Sequence, residues 1–208
     1  ASSDGEVVSA GEVIVTLEGT LAGLLTAERT ALNFMQRLSG IATHVQRHVG
    51  TLEGLNVRLV DTRKTTPGWR VLEKYAVRVG GGANHRMGLH DGVLIKDNHI
   101  AACGGIAAAV QRARAQVSHL VKIEIEAADI AQVREALDAG ADVIMLDNMD
   151  LEQIKAAVAL IRSKALIEVS GNVTQDRLRE LAGAGVDVIS MGALTHSAKA
   201  VDLSMRIK

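Results

Sequence analysis

Aromatic residues are scarce in this sequence, which has only Phe34, Trp69 and Tyr75 among 208 residues. The 48% hydrophobic content must therefore come mainly from aliphatic side chains and methionine. That composition is typical of a parallel sheet or barrel covered by helices, where continuous aliphatic strands are buried on both faces. The length allows one sizeable core with room for a second, small unit.

Cysteine and net charge are also low. The single cysteine, Cys103, excludes an intrachain disulfide and a cysteine-rich zinc site, which fits a reducing compartment. A net charge of −1 argues against nucleic-acid or membrane-surface binding, because both need a basic excess on one face. No apolar run approaches the roughly 18 residues that a membrane-spanning helix needs. We therefore expect a cytoplasmic protein with small-molecule partners and no nucleic-acid or membrane partner.

The first 50 residues contain two distinct patterns. Residues 5–19 alternate apolar and polar residues on either side of Ala10-Gly11, which predicts two short strands joined by a tight turn. From residue 20 to 49 the apolar residues recur every three or four positions, which predicts one helix or two helices meeting near Gly40. His44 and His48 lie one turn apart there. They could ligate a metal, but with no third ligand nearby an exposed helix face is the favoured interpretation.

After Asn56 the pattern changes to repeated β-α units. Aliphatic runs that end in polar residues or glycine occupy residues 57–62, 93–98, 121–126, 142–147, 166–171 and 186–192. Amphipathic helical segments lie between the later runs, and a seventh strand is plausible at residues 75–79. Repeats of this kind predict a parallel sheet. We expect an α/β fold, an incomplete (β/α) barrel of parallel strands.

The strand ends of such a barrel predict a polar pocket, because the loops after the carboxyl ends of its strands build the active site. Glu124 and Glu126 share one strand face, and two inward carboxylates need cations or a metal. The residues at the predicted strand ends are Asp61, Arg63, Lys64, Lys96, Asp97, Asn98, Glu124, Glu126, Asp147, Asn148, Ser170, Gly171, Asn172, Ser190 and Gly192.

The charges of this pocket indicate the ligand. Its cations are Arg63, Lys64, Arg86 and Lys96, and arginine can bind a carboxylate or phosphate through two hydrogen bonds. Arg70, Lys74 and Arg78 follow at four-residue steps and are interpreted as a helix surface instead. Late-strand glycines allow close backbone approach to phosphate, while carboxylates suit Mg²⁺ or sugar hydroxyls. The pattern favours a phosphorylated sugar together with an anionic partner.

Three motifs in order identify a family resemblance: DTRKTTPG at residues 61–68, NHRMGL at 84–89 and LIKDNH at 94–99. The chain resembles the quinolinate phosphoribosyltransferases. The resemblance implies that residues 1–40 are the tail end, or remnant, of a smaller N-terminal α+β domain of sheet and helices. Residues 41–208 would form the barrel-like phosphoribosyltransferase domain, and a return of the last residues to the N-terminal domain is left open.

The resemblance also implies a reaction: transfer of phosphoribosyl from phosphoribosyl pyrophosphate to quinolinate with decarboxylation, in NAD synthesis, with Mg²⁺ as cofactor. Lys64, Lys96, Glu126 and Asp147 would be catalytic. Arg63, His85 and Arg86 would hold the quinolinate carboxylates, and Lys64 and Lys96 would face the pyrophosphate.

The remaining implied roles concern the sugar phosphate and the assembly. Glu126 and Asp147 would contact ribose hydroxyls, partly through Mg²⁺. The 5′-phosphate would lie on Ser170, Gly171, Asn172 and Gly192. Arg29, which interrupts the apolar stripe of the first helix, would be lent to the neighbouring subunit of a homodimer or larger assembly.

Two other interpretations remain open at this point. A lysine at a barrel strand end, such as Lys96, is where Schiff-base aldolases form their imine. A phosphoribosyltransferase-like protein associated with molybdate transport would use the same fold as a binding or accessory protein.

Overall fold

The computed structural model describes residues 2–207 as helices packed around one sheet. None of the described helices is both long and apolar enough to cross a membrane. In chain order the elements are α1 (Leu21–Gly50), β1 (Arg58–Val60), α2 (Arg70–Val79), β2 (Val93–Ile95), α3 (Asp97–Cys103), α4 (Ile106–Gln116), β3 (Ile123–Ala127), α5 (Ile130–Asp138), β4 (Val143–Asp147), α6 (Leu151–Ile161), β5 (Leu166–Ser170), a 3₁₀ turn (Gln175–Arg177), α7 (Leu178–Gly183), β6 (Val188–Ser190) and α8 (Ala193–His196).

The six strands fall in the six aliphatic runs, with β3 extending one residue beyond its run to Ala127, and form one parallel sheet in the order β1-β6-β5-β4-β3-β2. The predicted α/β class is confirmed, and the sheet is not closed into a complete barrel. Beyond β1 the chain adds one bridge, between Val60 and Ala83. There the Ala83 N–H donates to Leu59 O at 2.8 Å, and Ala83 O accepts from Asp61 N at 3.2 Å. This bridge places residues 84–86 beside the end of β1.

The predicted seventh strand at residues 75–79 is wrong, because these residues belong to α2. Ala76 and Val77 are buried, and so are Glu73 and Lys74 one turn earlier. Burial at this spacing is helical, since side chains three and four residues apart share one helix face. The extra pairing with β1 comes four residues after the helix ends, at Ala83.

The central strands show why the site is polar and the helix-facing side is not. On β3, Ile123 and Ile125 are fully buried in the aliphatic core, while Glu124 and Glu126 alternate with them. Side chains alternate between the two faces of a strand, so both glutamates lie on the face opposite the isoleucines. The predicted shared face of the two carboxylates is confirmed.

Helix α1 is continuous through Gly40, so the alternative of two helices is wrong. Gly40 instead permits a close approach: a Cβ there would lie 2.1 Å from Lys199 O. The C-terminal segment runs along the same helix, where Val201 N donates to Gln36 O at 3.0 Å and Gln36 Nε2 donates to Leu203 O at 2.9 Å. The division into domains at residue 40 stays a prediction.

The strands predicted at residues 5–19 are wrong, because this segment contains turns and irregular backbone only. The tight turn at Ala10-Gly11 is present, with the Glu12 N–H donating to Ser9 O at 3.1 Å. Val7, Val13 and Leu17 are 76%, 71% and 61% exposed. A segment with alternating apolar and polar residues forms a strand only when a neighbouring strand pairs with it. Within residues 2–207 this segment joins no sheet.

The prediction that His44 and His48 lie on an exposed helix face is wrong. His48 is buried and its Nδ1 lies 2.7 Å from His44 O, and the two rings pack at 4.3 Å. Burial lowers the pKa of His44, with the neighbouring His48 adding to the effect. No third metal-ligating group joins the pair in the described part of the chain.

Candidate active site

The predicted pocket residues follow the carboxyl ends of parallel strands, which meet at one edge of the sheet. Arg63 and Lys64 follow β1, His85 and Arg86 follow the Ala83 bridge, and Lys96 follows β2. Glu126 is the second-last residue of β3. Asp147 and Ser170 are the last residues of β4 and β5, and they pair directly with each other in the sheet. Gly192 follows β6. The parallel topology therefore brings these residues to a common edge, which we call the mouth.

A buried ion pair supports the first part of the mouth. Asp61 and Lys74 are 0% and 1% exposed, and Lys74 Nζ donates to Asp61 Oδ1. Asp61 also accepts from Asn84 Nδ2 at 2.6 Å and from the His85 N–H at 2.9 Å. Burial raises the pKa of Asp61, while Lys74 opposes that rise. The interpretation of Lys74 as helix surface is wrong, because its ammonium turns inward to this carboxylate.

Glu73, the neighbour of Lys74, supports the loop that carries Arg63 and Lys64. It is fully buried and accepts from Thr66 N at 3.1 Å and Thr66 Oγ1 at 2.8 Å. Arg37 on α1 pairs with the same carboxylate at 2.9 Å. Glu73 and Lys74, which are adjacent buried residues of α2, thus hold the loop that follows β1 and the loop that follows the Ala83 bridge.

His85 connects opposite sides of the mouth. Its ring Nε2 lies 3.1 Å from Glu124 Oε2 on β3 and 3.5 Å from Glu168 Oε1 on β5. Both carboxylates are deeply buried. We call His85, Glu124 and Glu168 the triad; it is the one group of three metal-ligating side chains that the described residues bring together.

The triad holds a proton more tightly than a free imidazole does, because the pKa of His85 is raised. Burial lowers the pKa of His85, but the facing carboxylates of Glu124 and Glu168 outweigh it and raise the pKa to about 10. Burial also raises the pKa of Glu124, helped by repulsion from Glu168. The Arg86 N–H donates to His85 Nδ1 at 2.8 Å, so this nitrogen acts as an acceptor and carries no hydrogen. The tightly held proton therefore belongs to the ring and the two carboxylates as a unit.

Arg63, Lys64 and Arg86 supply positive charge to the mouth. Arg63 and Lys64 are exposed, and neither has an ion-pair partner within residues 2–207. Arg86 Nη1 donates to Gly92 O at 3.0 Å. Burial lowers the pKa of Arg86, and the nearby charge of Arg63 adds to this. Arg63 and Lys64, which lack an ion-pair partner in the described chain, are suited to an anionic ligand.

Lys96 is paired with Glu126 across the ends of β2 and β3. Its main-chain N–H donates to His99 Nδ1 at 3.0 Å as α3 begins. A Schiff-base lysine needs an amine lone pair. An ammonium held by a carboxylate lacks that lone pair, so this geometry favours an electrostatic role for Lys96.

The ends of β4 and β5 are linked by amide side chains. Asn148 Nδ2 donates to Asp147 Oδ2 at 2.7 Å, and Asn172 Nδ2 donates to Asn148 Oδ1 at 2.9 Å. Gly171 has φ +85°, and a Cβ there would lie 2.3 Å from Asn148 Oδ1. The turn therefore depends on glycine both for its backbone and for its space.

Gly192 provides room for Lys64 after β6. A Cβ on Gly192 would lie 2.9 Å from Lys64 Cδ and 3.2 Å from His196 Nε2. Thr195 Oγ1 donates to Lys64 O at 2.8 Å and fixes that backbone. Lys64 thus crosses from the β1 end towards the β6 end of the mouth.

Arg29 is not joined to the other predicted site residues. It lies exposed in the first half of α1, and its side chain makes no hydrogen bond or ion pair within the described chain. Sequence reasoning missed Glu168 and misread Lys74. Glu168 had a signal, since it precedes Ser170 by two residues on β5 as Glu124 precedes Glu126 on β3. Lys74 had none, because its partner Asp61 lies 13 residues away.

This fold and site define a class: an open parallel α/β barrel with a cation-rich mouth at the carboxyl ends of its strands. Two family models described as "Quinolinate phosphoribosyl transferase" match this chain. The C-terminal domain model matches residues 41–206, and the N-terminal domain model matches residues 1–39. The chain belongs to the quinolinate phosphoribosyl transferase family. The resemblance seen in the sequence is thereby confirmed.

Individual relatives cover most of the chain. A probable nicotinate-nucleotide pyrophosphorylase (carboxylating) from Bacillus subtilis is 50% identical over 98% of this chain and 71% of its own length. The Mycobacterium leprae nicotinate-nucleotide pyrophosphorylase (carboxylating) is 42% identical over 97% of this chain and 72% of its own. The crystal structure of NadC from Streptococcus pyogenes superposes with a TM-score of 0.93, at 46% identity over 98% of this chain and 72% of that one.

Proposed function

We propose that the chain transfers phosphoribosyl from phosphoribosyl pyrophosphate to quinolinate, with decarboxylation, to give nicotinate mononucleotide for NAD synthesis. The observation that carries this proposal is the pair Arg63 and Lys64, exposed cations without an ion-pair partner in the described chain, next to Arg86 and the Lys96–Glu126 pair. Both substrates are multiply charged anions. The names of the relatives support the same reaction.

The acceptor would lie on the side of β1 and the Ala83 bridge. Arg63 and Arg86 would hold its two carboxylates, since the fork of a guanidinium matches a carboxylate with two hydrogen bonds. His85 stands beside Arg86, anchored to the sheet. This arrangement would direct the pyridine nitrogen towards the donor sugar.

The donor would lie along β2 to β6. Lys64 and Lys96 would face its pyrophosphate, and Glu126 and Asp147 its ribose hydroxyls. Ser170, Gly171, Asn172 and Gly192 would cradle the 5′-phosphate. The lack of a Cβ at Gly192, which lets the Lys64 side chain lie directly against this turn, supports that placement.

The reaction needs orientation and charge stabilisation more than a nucleophile. The pyridine nitrogen forms a bond to the anomeric carbon as the bond to pyrophosphate breaks, through an oxocarbenium-like transition state. The 2-carboxylate then leaves as CO₂, and a proton takes its place on the ring carbon. The cations of the mouth would hold two mutually repelling anions together and stabilise the departing pyrophosphate.

Magnesium fits the carboxylates of the mouth. Glu126 Oε1 and Asp147 Oδ1 make no hydrogen bond within residues 2–207 and are hard oxygen donors. Glu126 and Asp147 would hold Mg²⁺, partly through water. The bound ion would neutralise charge on the pyrophosphate.

The partner subunit completes this proposal. Arg29 is exposed on α1, and its side chain makes no hydrogen bond or ion pair within the described chain. In a homodimer or larger assembly it would be lent to the mouth of the neighbouring subunit. The expected cytoplasmic location belongs to the same proposal.

A pyrophosphate-release assay tests the function. The protein is incubated with phosphoribosyl pyrophosphate and Mg²⁺, and with quinolinate, nicotinate or no acceptor. We expect release with quinolinate alone. Release with nicotinate alone would move the activity to a non-decarboxylating transferase, and no release would favour the accessory protein of molybdate transport. Borohydride trapping of a carbonyl compound on Lys96 would favour the aldolase.

A further inference from the structure

His85 is engaged at every one of its polar atoms. Its main-chain N–H donates to Asp61 at 2.9 Å, and its carbonyl oxygen accepts from Lys74 Nζ at 2.9 Å. In the ring, Nδ1 accepts from the Arg86 N–H at 2.8 Å and Nε2 faces Glu124 at 3.1 Å. A residue held in this way has no free polar atom for a ligand.

The carboxylates of the triad lie deeper than the rest of the mouth. Glu124 and Glu168 are 6% and 3% exposed, two residues before Glu126 and Ser170 on their strands. Among the described residues, Oε1 of each glutamate has no hydrogen-bond partner. Burying two such carboxylates costs stability, and apolar residues of similar size commonly replace buried ion pairs without loss. Stability alone therefore does not explain why carboxylates occupy these two buried positions, whereas a role at the site does.

The hydrogen on the ring indicates what kind of site this is. Nδ1 of His85 accepts a hydrogen bond, so Nε2 carries the hydrogen and directs it at the carboxylates. A metal ion at the triad would need the lone pair of that same nitrogen. The geometry is therefore that of an imidazole held by two carboxylates.

We propose that Glu124 and Glu168 are positioning residues for the acceptor, because they hold His85 across the mouth and His85 in turn sets the backbone from which Arg86 reaches the acceptor. The proposal rests on the proposed function. It replaces direct binding of the acceptor by the His85 ring. Arg86 keeps Nε and Nη2 free of hydrogen bonds within residues 2–207, so its guanidinium can still bind a carboxylate.

Steady-state kinetics of Glu124→Gln, Glu168→Gln and the double variant test the proposal. Each variant removes a carboxylate charge that faces the His85 ring, and we expect this to raise the KM for quinolinate about tenfold, or about 1.4 kcal/mol. The KM for phosphoribosyl pyrophosphate stays within about twofold, because the donor lies elsewhere in the mouth. Glu152→Gln, at a carboxylate on α6 whose side chain is 82% exposed, is the matched control.

Unchanged kinetics in both single variants would overturn the proposal. So would an equal rise of both KM values together with a lower melting temperature, which is the pattern of a merely structural role. If the double variant does not fold, the two single variants carry the same comparison.

The ring itself provides a readout that needs no turnover. In ¹⁵N NMR of the whole protein, assigned through His85→Gln, we expect a protected Nε2–H signal that both glutamate variants shift. Its absence from the parent would overturn the proposal. A Zn²⁺ titration that shifts the parent His85 signal at one equivalent, and not that of the double variant, would show a metal site instead and overturn it as well. An inactive parent that keeps the signal would instead refute the proposed function.

Discussion

Lys74 on α2 and Asp61 at the end of β1 form an ion pair that is almost wholly buried beneath the mouth. The pair also fixes the His85 backbone, because Lys74 donates to His85 O and Asp61 accepts from His85 N. A helix, a strand end and a loop thereby become one unit. The loop that carries Arg86 is held by groups that would never touch a ligand.

Lys74→Met should strongly destabilise the protein, because it leaves Asp61 buried without its cation. Removing one partner of a buried pair costs about 3–5 kcal/mol of the free energy of unfolding. Urea unfolding measures the effect, and Arg78→Met, at an exposed position of the same helix, should stay within about 0.5 kcal/mol of the parent. A loss in Lys74→Met no larger than in this control would show that the pair contributes little.

Lys96→Ala should lower turnover at least about 100-fold, the effect of losing one preorganised group that stabilises developing charge. The physical reason is that its ammonium, paired with Glu126, is placed to face the departing pyrophosphate. Pyrophosphate release measures it. Lys155→Ala removes an ion-paired lysine far from the mouth, on α6, and is the control. Turnover of Lys96→Ala within about threefold of the parent would contradict the role.

Gly192→Ala should raise the KM for phosphoribosyl pyrophosphate and leave the backbone intact. The φ of Gly192 is −64°, which alanine adopts without strain, but the new Cβ would meet Lys64 Cδ at 2.9 Å. The lysine must then move. Gly183→Ala in α7 meets nothing within 4 Å and serves as the comparison in the same kinetic assay. Equal KM values for the two variants would argue against a phosphate site beside Gly192.

The His85 ring should not titrate between about pH 6 and 8. Its pKa is raised from 6.5 to about 10 in the folded protein, because the two glutamates outweigh burial. The triad as a unit thus binds one proton more tightly in the folded than in the unfolded state, and the resulting stability is fully present below pH 6.5 and is lost as the pH rises towards about 10. Ring resonances of His85 followed by NMR across this range measure it, and a midpoint near 6.5 would contradict the triad.

The sequence by itself determined the sheet and the identity of most of the mouth. Six aliphatic runs ending in polar residues located six parallel strands, because burial on both faces leaves a continuous apolar pattern. Once the strands are parallel, their ends must share an edge, so Arg63, Lys96, Glu126 and Asp147 could be grouped without coordinates. The family motifs pointed to the same residues.

Only the tertiary structure decided which charges are buried and what they contact. Lys74 has the spacing of a surface lysine, and its burial depends on Asp61 in another element. Glu168 could be placed on the same strand face as Ser170, but its contact with His85 is visible only in the folded protein. Residues 5–19 alternate as strands do but have no paired strand. Periodicity indicates which face of a segment could be buried. Residues far along the chain decide whether that face is buried, and for this reason the triad became visible only in the folded protein.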